Sequence, residues 1–297
     1  MEDALILKNV TKKYPDFTLN KVNLRLASGC IMGFIGENGA GKTTTIKLVL
    51  DLIKRDEGTI TILGKDNLTD LKNIKEYLGV VMEDSFFPDN LTAANVNLIM
   101  RGIYRTWDEK RFHGLLKQFS IPDRKNIRDY SKGMKMKLSI AAALSHDSRL
   151  LILDEATNGL DPVIRDEILD VFLEFIQDEG HSVFISSHIL SDLEKISDYI
   201  TFIHKGEIVF SQSKDELLET YGILKCSEMD LLKINPQAVK GCRKNHFGVE
   251  ALVVKDMVQG THLIDHAGIE QIMLFHIAAA NNRQSGFSLK GTQAEEV

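Results

Sequence analysis

The chain has 297 residues, 43% of them apolar and 26% charged, an ordinary globular composition that argues against disorder throughout. Its 36 basic and 42 acidic side chains leave a formal charge of -6, so charge makes no case for nucleic acid as the main partner. Three cysteines, Cys30, Cys226 and Cys242, have no CxxC spacing, which speaks against a disulfide framework or a zinc site and for a reducing compartment.

The N-terminus MEDALILKNVTKKY carries acids where a secretion signal carries bases. No apolar run approaches the ~20 residues needed to cross a bilayer; 138–144, inside DYSKGMKMKLSIAAAL, is far shorter. Strand patterns occupy 5–10 and 22–26, and CIMGFI at 30–35 reads as a buried strand running into glycines. A helix follows over about 42–53, then strands at 58–64 and 78–83. From about 84 to 147, LTAANVNLIMRGIY and WDEKRFHGLLKQF carry helical spacing and no convincing strand appears, which predicts a helical insert. Strands return at 149–154 and 181–186, with a helix opened by Pro162 between them and a short helix after Ser187. Residues 198–212 read as two strands joined at Lys205-Gly206. The alternation of strands and helices predicts an α/β core. From about 222 a separate small α/β piece follows, ending in a helix with Ile269, Ile272, Met273, His276 and Ala280 at helical spacing; 281–297 has little to bury and reads as a mobile tail.

The strongest motif is GENGAGKTT, 36–44, which fits GxxxxGK[ST] between a predicted strand and a predicted helix. Glycines let backbone N–H groups of Gly36, Asn38, Gly39, Ala40 and Gly41 wrap a phosphate chain in front of the helix N-terminus. Lys42 would reach the β- and γ-phosphates, and the Thr43 hydroxyl, with Thr44 beside it, would meet Mg²⁺. A glycine-rich turn with a chance lysine is the alternative, and the strand-loop-helix context disfavours it. LLILDEATNGLDP, 150–162, places Asp154 at a strand end for the metal and Glu155 beside the γ-phosphate to polarise a water. Alone, these acids could be a helix cap; the phosphate loop upstream lifts them. His188 in ISSHIL also lies at a strand's C-terminal end, where α/β sheets place ligands.

GENGAGKTT, YSKGM, LLILDEATNGLD and ISSH, in this order, resemble the ATP-binding subunit of ATP-binding cassette (ABC) transporters over about residues 4 to 220. The resemblance implies a P-loop ATPase core with an antiparallel β subdomain and a helical insert: an ABC domain at 1–220, its helical part at 84–147, an accessory domain at 221–280 and the tail. It also implies an adenine-stacking role for Tyr14, a D-loop role for Asp161 and a switch role for His188 against the γ-phosphate. Glu83 stands where the family usually has a glutamine that contacts Mg²⁺; its carboxylate can still bind the metal or a water, but it adds negative charge beside the phosphates. YSKGM occupies the place of LSGGQ, and the two positions with the clearest chemistry map to Ser131 and Gly133, which would face ATP held by a second subunit. ATP and Mg²⁺ are therefore the expected cofactors, and a second ABC ATPase subunit the expected partner. Lys132, Lys135 and Lys137 read as solvated or phosphate-near charge around that interface.

NGLDP and GENGAGKTTT resemble the bacterial subfamily that drives drug, bacteriocin or peptide exporters, and the C-terminal piece resembles the extension of its YtrB-like members. The implied function is ATP hydrolysis at the cytoplasmic face of the cell membrane, powering export through a separate permease, with no nucleic acid partner; SFFPDNLTAANV, 85–96, would face that permease or form plain insert core. The competing reading is a soluble ABC ATPase acting on ribosomes or DNA.

Overall fold

The computed structural model describes residues 3–83, 87–246, 248–260 and 262–284, and the chain divides between Gln212 and Ser213 into two units. The first unit opens with β1 (Asp3–Lys13), β2 (Thr18–Ala27), β3 (Ile31–Ile35), α1 (Lys42–Val49), β4 (Glu57–Ile62), β5 (Lys65–Asp66), α2 (Leu71–Ile74) and β6 (Leu78–Val81). The insert carries α3 (Ala93–Ile103), α4 (Glu109–Gln118) and α5 (Lys132–Ala143). β7 (Leu150–Asp154), α6 (Pro162–Phe175), β8 (Ser182–Ser186), α7 (Leu190–Ile196), β9 (Tyr199–His204) and β10 (Glu207–Ser213) complete it.

Among the described residues these strands form two sheets, one antiparallel in the order β2-β1-β4-β5 and one in the order β10-β9-β3-β8-β7-β6. In the second, β6, β7, β8, β3 and β9 run parallel. Every residue of β3, β7 and β8 is buried, as a parallel sheet covered on both faces requires. β2 instead alternates buried and exposed side chains, so only one of its faces meets the core. Leu5, Leu24 and Ile60 of the antiparallel sheet, Ile46 and Val49 of α1, and Phe34, Ile152 and Phe184 of the parallel sheet share one apolar core. This is the expected α/β class with an antiparallel subdomain and a helical insert.

Several boundaries moved for local reasons. The strand read over 58–64 stops at Ile62, because Leu63 and Gly64 turn with φ 49 and 76 to start β5. The helix read to 53 stops at Val49, and Asp51 with φ 52 breaks it. Lys205 and Gly206, with φ 47 and 81, form the expected two-residue hairpin turn; a side chain at Gly206 would run into the Thr18 carbonyl. The insert's helices are capped by side chains, Thr92 with Asn95 before α3, Asp108 before α4 and Ser131 before α5.

The second unit contains α8 (Lys214–Thr220), β11 (Tyr221–Cys226), α9 (Glu228–Leu231), β12 (Val239–Asn245), β13 (Gly248–Val254), β14 (Ile264–His266) and α10 (Ile269–Gln284). Its antiparallel sheet runs β12-β13-β11-β14 and has its own core, with Leu224, Leu231, Ala251 and Val253. Ile269, Ile272 and Phe275 are the buried positions of α10. Residues 281–284 continue that helix, while the rest of the expected tail lies outside the described residues, as do Ser85 and Phe86 of the stretch read as partner-facing.

Where the insert returns to the sheet, His146 Nε2 lies 3.0 Å from both the Leu78 carbonyl and the Ser148 hydroxyl, and its ring stacks on Tyr104 at 3.8 Å. Burial pushes its imidazole below the usual histidine range, against the Leu78 and Ala142 carbonyls, Glu76 and Asp147, which pull it back. The unfolded chain takes up a proton there that the folded chain resists, so this site costs stability as pH falls below about 6.5, by at most about 1.4 kcal/mol per pH unit. Urea melts of the wild type and His146→Gln across that range should show a flatter acid slope in the variant; equal slopes would contradict the assignment.

Candidate active site

The loop after β3 is shaped by its glycines. Gly39 and Gly41 take φ 81 and 115, and a Cβ on Gly36 would stand 2.5 Å from the Ile203 carbonyl. The loop closes through Ala40 N to the Glu37 carbonyl at 3.0 Å, and it is tied to the β9-β10 turn by Gly206 N donating to the Ala40 carbonyl at 3.0 Å. Thr45 Oγ1 donates to the Gly41 carbonyl at 2.9 Å and fixes the first turn of α1. Lys42 is buried, and its Nζ donates to the Gly36 carbonyl at 2.8 Å.

Two further loops meet this one at the C-terminal ends of parallel strands, the edge where such sheets place ligands. Glu155, directly after β7, is held at φ 52, with its N–H donating to the carbonyl and hydroxyl of Ser186 at 3.1 and 3.2 Å. Left-handed backbone in a glutamate is costly and persists only where neighbours impose it. Its carboxylate lies between two groups, Lys42 Nζ at 3.3 Å and His188 Nδ1 at 2.7 Å. The His188 N–H also donates to Oε2, at 3.3 Å.

Asp154, buried at the end of β7, accepts from Ser186 Oγ at 2.6 Å. Burial pushes its carboxyl up; Ser186 and the Thr43 hydroxyl pull it back, and Glu155 and Glu83 add to the rise. A hydroxyl and carboxylates at one place form a hard oxygen donor set, which fits Mg²⁺. Glu83 is exposed and accepts from Asn158 Nδ2 at 3.0 Å.

One cavity of about 440 Å³ is thereby lined by Asn38, Gly39, Gly41, Lys42, Thr43 and Thr44 from the glycine loop, together with Glu83, Glu155 and His188. Asp154 lies beside it through Thr43, and Gly36 and Ala40 of the same loop do not line it but pack against Ile203 and the β9-β10 turn. Phe17, Glu37 and Asn158 also line it and were not singled out from sequence. Asn158 and Glu37 lie inside the quoted motifs, whereas Phe17 is brought in only by the fold, its ring 3.0 Å from where a Cβ on Gly41 would be.

Tyr14, Ser131, Gly133 and Asp161 lie outside this cavity. Tyr14 is 41% exposed, its ring 6.5 Å from Phe17, so Phe17 holds the place nearer the glycine loop. Asp161 Oδ1 caps α6 by accepting from the N–H groups of Val163 and Ile164 at 3.1 and 3.0 Å. Ser131 Oγ caps α5 in the same way, accepting from Met134 at 3.2 Å, while buried Gly133 lets α5 approach Ile164. The lysines divide. Lys132 Nζ covers the Gly159 turn and Lys135 pairs with Asp89 at 2.8 Å. Lys137 is not solvated as expected: it is buried, 2.6 Å from Glu167 and over the Phe119 ring, because the fourth residue beyond Gly133 returns to the core-facing side of α5. Nothing in the structure accounts for Met134 in place of glutamine.

The pattern of the family described as ABC transporter matches residues 19–158. Over 224 residues the chain is 38% identical to the bacitracin transport ATP-binding protein BcrA of Enterococcus faecalis, covering 73% of this chain and 71% of that protein. It is 35% identical over 218 residues to the lantibiotic transport ATP-binding protein SrtF of Streptococcus pyogenes, covering 71% of this chain and 91% of that one. A solved structure titled as the ATP binding subunit of an ABC transporter superposes with a TM-score of 0.67 at 26% identity, over 72% of this chain and 91% of that chain.

Removing the Lys42 ammonium from this cavity should cost about 1.5–3 kcal/mol of binding to a nucleoside triphosphate, roughly ten- to a hundredfold. Titration of Lys42→Ala with a fluorescent ATP analogue reads this, and unchanged affinity would take Lys42 out of the phosphate site.

Proposed function

The chain belongs to the ABC transporter family of ATP-binding subunits, and from that premise we propose that it binds and hydrolyses ATP to power export of a drug or peptide by a separate membrane permease. The observation that carries the catalytic part is the Glu155 carboxylate, fixed between Lys42 at 3.3 Å and His188 at 2.7 Å in the cavity that the glycine loop lines. Hydrolysis is an in-line attack of water on the γ-phosphate, and catalysis here is mostly positioning and charge. Glu155 polarises the water, His188 orients Glu155 and faces the γ-phosphate, and Lys42 transfers its charge from Glu155 to the β- and γ-phosphates. Mg²⁺, which Thr43 and Asp154 would hold with Glu83 nearby, supplies charge neutralisation on the phosphates.

The chain has one glycine loop and one YSKGM segment, and Ser131 and Gly133 lie outside its own cavity. This supports a dimer in which each copy, or a paralogue, completes the other's site. The positive end of α5 would then face the partner's γ-phosphate, worth about 0.3–1 kcal/mol where exposed. ATP closes the pair and hydrolysis releases it, because the γ-phosphate contacts exist only in the closed form.

A permease partner is supported by a groove of about 900 Å³ lined by Leu50, Leu52, Tyr77, Val80, Met82 and Ile103 among others. Leu98, Ile99 and Ile103 of α3 add exposed apolar surface in the same unit. Met82 also adjoins Glu83, so a partner in the groove would touch the strand end that leads to the metal-side carboxylate. No described helix is long and apolar enough to cross a membrane, so attachment to the cytoplasmic face would run through the permease. The reading as a ribosome- or DNA-acting ATPase is not favoured, since the chain's relatives are named as transport proteins and its formal charge is -6.

Glu155→Gln should leave ATP binding intact, slow turnover by about 10²–10⁴-fold and accumulate an ATP-bound dimer. Phosphate release together with light scattering measures both; turnover at the wild-type rate would remove Glu155 from the role of water-positioning group.

A further inference from the structure

Asp192 is a carboxylate that neither the phosphate loop nor the Glu155-His188 pair accounts for. It lies on α7, four residues beyond His188, and is 3% exposed. A charge so buried is tolerated only where its surroundings compensate it. Arg165 Nε stands 3.9 Å from its Oδ2. Burial pushes the Asp192 carboxyl up, while the Thr157 hydroxyl, Arg165, His188 and Lys195 pull it back. Asp192 Oδ2, Arg165 Nε and Thr157 Oγ1 make no hydrogen bond of full geometry, so charge and burial hold the cluster together.

These neighbours belong to the two loops that build the catalytic pair. Thr157, fully buried, is two residues beyond Glu155. Arg165, on the first turns of α6, reaches back to the same loop and donates through Nη2 to the Leu160 carbonyl at 3.2 Å. α7 continues from the other loop, whose His188 meets Glu155 at 2.7 Å. The loops after β7 and β8 are thus joined twice, once through the catalytic pair and once behind it through Asp192. The second connection matters because Glu155, at φ 52, has a backbone conformation that its neighbours must impose.

We propose that Asp192, acting with Arg165, is a positioning residue for ATP hydrolysis: its buried carboxylate clamps the loop that carries Glu155 to the helix that follows His188, and so sets the spacing of the pair. The inference rests on the ATPase reading above. Asp192 lines no part of the nucleotide cavity, so the clamp governs turnover and not binding.

Asp192→Asn keeps the shape and removes the charge. In the full-length chain it should lower kcat for ATP hydrolysis by about ten- to a hundredfold while leaving affinity for a fluorescent ATP analogue unchanged. Arg165→Lys keeps a charge near Asp192 but loses the Nη2 hydrogen bond to Leu160; it should lower kcat less, and the double variant should be no slower than Asp192→Asn alone. Histidine ring signals observed by NMR should show a shift at His188 in Asp192→Asn without nucleotide. Wild-type kcat per folded molecule in both variants, or a loss of affinity equal to the loss of kcat, would overturn the clamp. Should Asp192→Asn fail to fold, Arg165→Lys decides by the same two readouts. A wild-type chain without ATPase activity would instead refute the functional reading, and an unmoved His188 signal would still refute the clamp.

Discussion

The site depends on one shared carboxylate. Glu155 is almost fully buried and meets Lys42 on one side and His188 on the other, so three loops from three parallel strands are fastened at a single group. Each loop is also tied independently of this carboxylate: the glycine loop through its own hydrogen bonds and the β9-β10 turn, the Glu155 loop through Ser186, and the His188 loop through the strand that carries Ser186. Phosphate binding would exchange one partner of this carboxylate, since Lys42 cannot give its full charge to both. Occupancy of the cavity and the state of Glu155 are thereby linked in a single ion pair.

The departures from the family pattern acquire places. Glu83 stands where a neutral amide is usual, and Asn158 holds its carboxylate at the cavity edge, where it adds negative charge near Asp154. Lys132 lies over the Gly159 turn of the loop that bears Glu155, so the YSKGM segment touches that loop within one chain. Lys137, which looked like surface charge, is paired with Glu167 and fastens α5 to α6, the two helices whose first turns meet at Gly133 and Ile164. The helix that would face a partner's nucleotide is therefore braced against the helix that Asp161 caps.

The insert joins the sheet at a polar hinge in which Glu76 accepts from Thr106 at 2.9 Å and His146 meets the Leu78 carbonyl. The apolar groove is lined by residues of this same hinge, Glu76, Tyr104 and Thr106, and by Met82, next to Glu83. A body seated there would bear on the insert and, through Met82, on Glu83 together. Under the proposed function, this is where a permease seated in the groove would be felt at the site of hydrolysis.

Motif residues and buried strands could be read from the sequence because their signals are local. GENGAGKTT needs only glycine's conformational range and a following helix, and IMGFI, LLILD and SVFIS are apolar runs too continuous for a one-faced sheet. What the sequence by itself determined was the α/β class, the hairpin at Lys205-Gly206, and the glycine loop and strand-end acids and histidine that the fold brings to one cavity. The tertiary structure alone decided that Phe17 and not Tyr14 lines the cavity, that Lys137 is buried, that Glu155 takes a left-handed backbone, and that Asp192 is buried near Arg165 on the helix after His188. Each of these depends on contacts between residues far apart along the chain, such as Phe17 with Gly41 or Asp192 with Arg165, and such contacts leave no trace in spacing or composition because only packing brings the partners together.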